Sequence, residues 1–243
     1  MNARHGAAIL LAAALSACDG SSFDHYVLAL SWEPAFCEFS RDKPECRELD
    51  DADFAASHLT LHGLWPNSSP NDGPSYCDVD EATRDLDRPK SWCELPHPDI
   101  TGSTRASLEA AMPGTRSCLE KHEWIKHGTC SGIDAISYFS DTLRLAAAMQ
   151  RTRLGEAIAA NIGGDLTPGQ LTDAFEATFG AGSGRALTVV CTQHGGIRYL
   201  SEIRIALKPA ALAGTLDRDD LYLSGPPPEG GCSGTMRIDP AGQ

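Results

Sequence analysis

"KHEWIKHGTC" runs from Lys121 to Cys130 and sets two histidines, a glutamate and a lysine between His122 and His127. It looks like a zinc-protease motif slipped by one position. That motif, H-E-x-x-H, holds its histidines four apart so that both face one metal. Here they are five apart, about 140° around a helix of 3.6 residues per turn. A regular helix does not bring both nitrogens to one ion, so no metal is expected. The other spacings carry more information. Glu123 and His127 are four apart, His122 and Lys126 four, and Glu123 and Lys126 three, which puts the polar groups on adjoining turns. A solvated helix face has similar Glu–Lys pairs; two histidines in the patch, just before Gly128 and Cys130, favour a site.

A second cluster lies upstream in "LHGLWPN", Leu61 to Asn67. His62 stands beside Gly63 at the end of a strand-like run and is followed by Trp65-Pro66. Alone it reads more readily as a satisfied turn histidine. Around the two clusters the pattern is mixed. "DHYVLALSW" alternates Tyr26, Leu28, Leu30 and Trp32 on one face, and "HLTLHGLWP" reads as a second strand. Residues 67–103, rich in Pro, Asp, Ser and Gly, read as long pinned loops. Ser117 and Glu120 form an S-x-x-E capping box, and Gly128 stands where a helix would end. Helices are expected over Asp134 to Gln150 and Thr152 to Asn161, with another starting at Thr167-Pro168-Gly169-Gln170. "LTVVCT" and "IRYLSEIRIALK" return to strand, and "SGPPPEGGCSG" is a loop. This order suggests an α+β fold, a central and mainly antiparallel sheet flanked by helices.

The N-terminus is not part of that domain. Arg4 precedes the apolar run "GAAILLAAALSA", too short to cross a bilayer and suited to a secretory signal. Leu15-Ser16-Ala17-Cys18 resembles the lipobox of bacterial lipoproteins, in which the cysteine is acylated. Residues 1–17 are therefore read as a signal peptide with Cys18 as lipidation site, and 22–243 as one domain, exported to the periplasm or exterior, where a lipid on Cys18 would anchor it to a membrane. Of nine cysteines, eight remain after Cys18. No C-x-x-C occurs, and four disulfides in an oxidising compartment is the economical reading. The net charge of −13 argues against long electrostatic tracking along nucleic acid but leaves room for a local phosphate site.

Together, "LTLHGLWP" and "HEWIKHGTC" resemble the two active-site segments of the ribonuclease T2 family, with no gap in either. "YVLALSWEPAFC" and the positions of Cys191 and Cys232 extend the resemblance over roughly residues 24–235, nearest its bacterial branch. It implies that His127 is the general base on the ribose 2′-hydroxyl and His62 the general acid on the 5′-oxygen. Glu123 and Lys126 would stabilise the transition state, His122 would hold phosphate, and Trp65 would line the substrate site. It implies disulfides Cys77–Cys130 and Cys191–Cys232; Cys37–Cys46 then closes a short loop, leaving Cys93–Cys118. The implied protein is a monomeric endoribonuclease without cofactor. It cuts single-stranded RNA to 2′,3′-cyclic phosphates, with slow hydrolysis to 3′-phosphates, and leaves DNA uncut. The alternatives are a silent RNA-binding member of the same fold and an unrelated zinc hydrolase. Base preference would rest on loops near Trp65, Pro66, Asn67, Leu119 and residues 95–116.

Overall fold

The computed structural model describes residues 22–69 and 72–242. The expected signal sequence 1–17 and Cys18 lie outside the described residues. The elements, in chain order, begin with β1 (His25–Ser31), followed by the short helices α1 (Glu33–Phe39), α2 (Pro44–Arg47) and α3 (Phe54–Ser57). Strand β2 (Thr60–Asn67) leads into a long excursion containing α4 (Glu81–Leu86), α5 (Gly102–Ala111) and α6 (Leu119–Lys126). Helices α7 (Ala135–Gln150) and α8 (Arg153–Ala159), strand β3 (Asp165–Leu166) and α9 (Pro168–Phe179) precede the long hairpin β4 (Leu187–His194) and β5 (Ile197–Leu207). Strand β6 (Met236–Arg237) is the last.

The sheet runs β2-β1-β5-β6-β3, with β4 also on β5. All pairings are antiparallel except β5 with β6. The α+β architecture expected from the sequence is the one found. Strand β1 is central, and this explains a feature its alternation does not reveal: Val27 and Ala29 are as buried as Tyr26, Leu28 and Leu30. One face packs on α7 through Tyr138, Phe139, Leu145 and Met149. Each fully buried side chain of this kind contributes roughly 1.5–3 kcal/mol. The opposite face of β1, β2 and β5 carries the polar cluster described below.

Caps match the sequence at three helices. Asp134 accepts from Ser137 N–H, Thr152 from Gly155 N–H, and Thr167 with Gln170 forms a complete capping box. The expected Ser117–Glu120 box does not form. The residue before α6 is Cys118, left-handed at φ 63° and bonded to Cys93, with no side-chain cap. Ser117 Oγ instead donates to Glu45, and Glu120 accepts from Arg105. A disulfide-held turn feeds this helix, leaving the box no role. The excursion after β2 is also more ordered than its composition suggests: Asp80 caps α4 by accepting from Thr83 N–H at 3.0 Å, and α5 begins at Gly102.

Disulfides join Cys37 to Cys46, Cys77 to Cys130, Cys93 to Cys118 and Cys191 to Cys232: the two pairs the resemblance implies and the two left over from them. Among the described residues no helix is long and apolar enough to cross a membrane.

Candidate active site

The two quoted segments meet because each departs from regularity at its histidine. In β2 the partners of Ala29 and Leu30 are Gly63 and Leu61, so His62 is the extra residue of a β-bulge. Strict alternation would put His62 on the sheet face opposite Trp65. The bulge re-aims it, and the His62 and Trp65 rings meet edge to face with centroids 5.3 Å apart. In α6 the helix stops at Lys126. His127 has φ −116° and ψ −48° while its N–H still reaches Glu123 O. Its ring therefore swings back, 6.3 Å from His122 and 5.5 Å from Trp65. The 140° separation assumed from a regular helix does not hold. Donor atoms of His122, Glu123 and His127 all lie within 4.8 Å of one another, so the spacing argument against a shared metal ion fails with it.

Glu123 is the buried centre, 1 % exposed. Its Oε2 accepts from Trp65 Nε1–H at 2.7 Å, and its Oε1 lies 3.6 Å from His62 Nε2 and 3.9 Å from His122 Nε2. It fits only because residue 63 is glycine: a Cβ there would stand 1.9 Å from Glu123 Oε2. Burial pushes the Glu123 carboxyl up against the opposing pull of His62, His122, the Trp65 hydrogen bond and Lys126.

The histidines differ in what lies behind them. His62 Nδ1 is 2.6 Å from Glu202 Oε1, and Glu202 Oε2 accepts from Arg204 at 2.7 Å. Arg204 in turn lies over Trp65, 5.3 Å from its ring centre. Burial alone would lower the His62 pKa, but the Glu202 hydrogen bond and the charges of Glu123 and Glu202 raise it above the ordinary value. His122 Nδ1 is 2.6 Å from Asp87, whose side chain is covered and also accepts from Tyr76 O–H at 2.7 Å. The His122 ring stacks on Trp92 at 4.5 Å. His127 is pushed down to about 2 by burial, then by Lys126, His122 and His62. It is held neutral.

Two anchors fix His127. Tyr76 N–H donates to Lys126 O at 2.9 Å, and Cys77 is bonded to Cys130. Tyr76 takes a left-handed conformation, φ 56°, uncommon for a bulky residue and frequent where a site constrains the chain. A cavity of about 370 Å³ opens beside His62, between Phe36, Trp92 and Leu119, with Glu33, Lys43 and Glu45 also on its wall. Of the residues considered for base contacts, Leu119 lines it and Asn67 does not.

The structure thus gathers His62, Trp65, His122, Glu123 and His127 at one place, with Lys126 near enough to act electrostatically on Glu123 and His127. Sequence reasoning missed Gly63, Asp87, Glu202 and Arg204. Gly63 alone carried a signal, lying inside the quoted motif.

Two imidazoles with oppositely displaced proton affinities beside a tryptophan, with a lysine nearby, are chemically able to give and take protons at a phosphodiester. Comparison with known proteins gives the class. The sequence model of the Ribonuclease T2 family matches residues 23–219. Ribonuclease I of Escherichia coli K12 is 34% identical over 95% of this chain and 91% of its own length. A ribonuclease of Aeromonas hydrophila is 29% identical over 78% of this chain and 74% of its own. Among solved structures, RNase NT in complex with 5′-AMP superposes with TM-score 0.56 at 24% identity, over 90% of this chain and 99% of that one. The chain belongs to the ribonuclease T2 family and is an endoribonuclease.

Proposed function

We propose that this enzyme cleaves RNA by attack of the ribose 2′-hydroxyl on the adjacent phosphorus, without a metal ion. The observation that carries the reading is the placement of the His62 and His127 rings on either side of Trp65, 5.3 and 5.5 Å from it, where their surroundings push their proton affinities in opposite directions. His127, held neutral, accepts the 2′-hydroxyl proton. His62, whose proton affinity is raised chiefly by the Glu202 hydrogen bond, gives a proton to the departing 5′-oxygen. General acid–base transfer needs these opposite states at the same pH. The O2′–P bond forms, the P–O5′ bond breaks, and the products are a 2′,3′-cyclic phosphate and a free 5′-hydroxyl.

Lys126 and His122 offset charge on the non-bridging oxygens. A phosphodiester anion between them also cancels part of the repulsion that depresses His127, so the base strengthens when substrate binds. Glu123, pushed toward its protonated form, approaches phosphate without full repulsion and accepts the Trp65 N–H. DNA lacks the nucleophile. The cavity beside His62 is large enough for a base.

We propose export on the strength of four disulfides, which persist in oxidising compartments; acylation of Cys18 is tested by the mass of the N-terminal peptide. For the reaction, RNA is digested with excess EDTA and the ends identified. Full activity and cyclic ends are expected. Activity abolished by EDTA and restored by zinc would favour a metal held by His122, Glu123 and His127.

A further inference from the structure

We propose that Glu202, locked by Arg204, is a positioning residue that fixes the tautomer and charge of His62. The proposal rests on the reading of His62 as general acid.

The geometry is specific. Glu202 lies on β5 opposite Ser31, and Arg204 opposite Ala29, so both project from the sheet face to which the bulge sends His62. Glu202 is 6 % exposed. Each of its oxygens has its own partner: Oε1 meets His62 Nδ1 at 2.6 Å and Oε2 meets Arg204 Nε at 2.7 Å. Arg204 is itself braced, since its NH1 donates to Glu229 O at 2.7 Å and its Cζ lies over Trp65, 5.3 Å from the ring centre. The carboxylate cannot rotate without breaking one bond or the other.

A carboxylate on Nδ1 requires the proton there. The second proton of the imidazolium is then on Nε2, the nitrogen 3.6 Å from Glu123 Oε1 and the one able to reach a leaving oxygen. Losing that proton leaves the Nδ1–H tautomer, ready to be recharged at the same atom. Carboxylate-backed histidines elsewhere in enzymes work by the same orientation and support. His127 has no such carboxylate among its described contacts, in keeping with its opposite role.

The titratable and charged groups facing His62 are Glu202 and Arg204 from β5, Glu123 from α6, His127 at the end of α6 and Glu33 from the start of α1. Glu123 also raises the affinity of His62 for a proton, while Arg204 opposes it. Burial would raise the Glu202 pKa, but the hydrogen bond to His62 and the charges of His62 and Arg204 lower it, so it stays ionised through the working range.

The experiment compares the native enzyme with Glu202→Gln and Glu202→Asp by histidine ¹⁵N NMR and by the pH dependence of kcat/KM on a dinucleoside monophosphate. In the native enzyme the His62 Nδ1 signal is expected to stay protonated above the ring's pKa. Glu202→Gln keeps an acceptor but loses the charge. It should lower the His62 titration and the alkaline limb of the rate profile by about one pH unit. It should also cut kcat between about 10- and 100-fold with little change in KM. Glu202→Asp should recover part of the loss. A neutral His62 carrying its proton on Nε2 in the native enzyme overturns the proposal, and this needs no variant to fold. So does a folded Glu202→Gln enzyme with unchanged His62 titration. A shifted titration with an unmoved rate profile would uphold the Glu202 contact and overturn His62 as the acid.

Discussion

Glu123 fills the space that a side chain at Gly63 would need: a Cβ on Gly63 would fall 1.9 Å from Glu123 Oε2 and 2.6 Å from Trp65 Nε1. Strand β2 therefore contributes an absence as well as a histidine, and the carboxylate uses it to reach the middle of the site. Gly63→Ala should force Glu123 away from Trp65 and from both neighbouring imidazoles. We expect kcat to fall roughly 100-fold or more, the scale for losing one transition-state stabiliser. Circular dichroism should show the fold retained. An alanine enzyme with native kcat would mean that the Glu123 position does not matter.

The pH profile should be wide. The acid must keep its proton and the base must lack one. His62 is raised, so the rate should decline only above the ordinary histidine range near about 6.5. His127 is lowered, so the rate in kcat/KM should rise well below that value. Bound phosphate strengthens His127, so the acid limb of kcat should lie at higher pH than that of kcat/KM. Rates on a dinucleoside monophosphate from about pH 3 to about pH 10 test this. An alkaline limb below the ordinary histidine value would contradict the assignment.

Cys77–Cys130 closes a loop spanning 53 residues. On loop entropy alone it contributes about 4 kcal/mol. It also fixes the chain three residues beyond His127. Replacing both cysteines by alanine should lower the denaturation midpoint accordingly, and should cost more in kcat than in KM at temperatures where the variant is folded. A loss of stability with native kcat would leave the cross-link a purely structural role.

Glu33 is 5 % exposed, accepts from Thr60 Oγ1 at 3.2 Å, and is raised to about 7 chiefly by burial. Its folded-state pKa exceeds its unfolded value, so the folded protein holds the proton more tightly. Stability should fall as pH rises from about 4.5 toward 7 and remain lower above, by about 3 kcal/mol. Glu33→Gln should raise the Tm at about pH 8 and flatten its pH dependence. A variant no more stable than the parent there would contradict this.

Much of this molecule is readable from local pattern. The strand alternation, the helix start at Thr167-Pro168 and the two histidine segments depend on neighbours in sequence, and all are present. What was hidden depends on exceptions and distance. The bulge at His62 and the helix end at His127 are single-residue departures from period, and they decide which way both rings point. Glu202 is 140 residues from His62, in a stretch that reads only as a strand. The Ser117–Glu120 box was legible and absent, because Cys118 was already committed to a disulfide.

The central claim is that His62 and His127 act in opposite directions on one P–O bond. It is tested most directly by a dinucleotide whose 5′-bridging oxygen is sulfur, since a thiolate leaves without protonation, its conjugate acid having a pKa of about 8.5. His62→Ala should be crippled on the oxygen substrate and recover nearly native rate on the sulfur one, while His127→Ala stays slow on both. Equal rescue of the two variants, or of neither, would contradict the account.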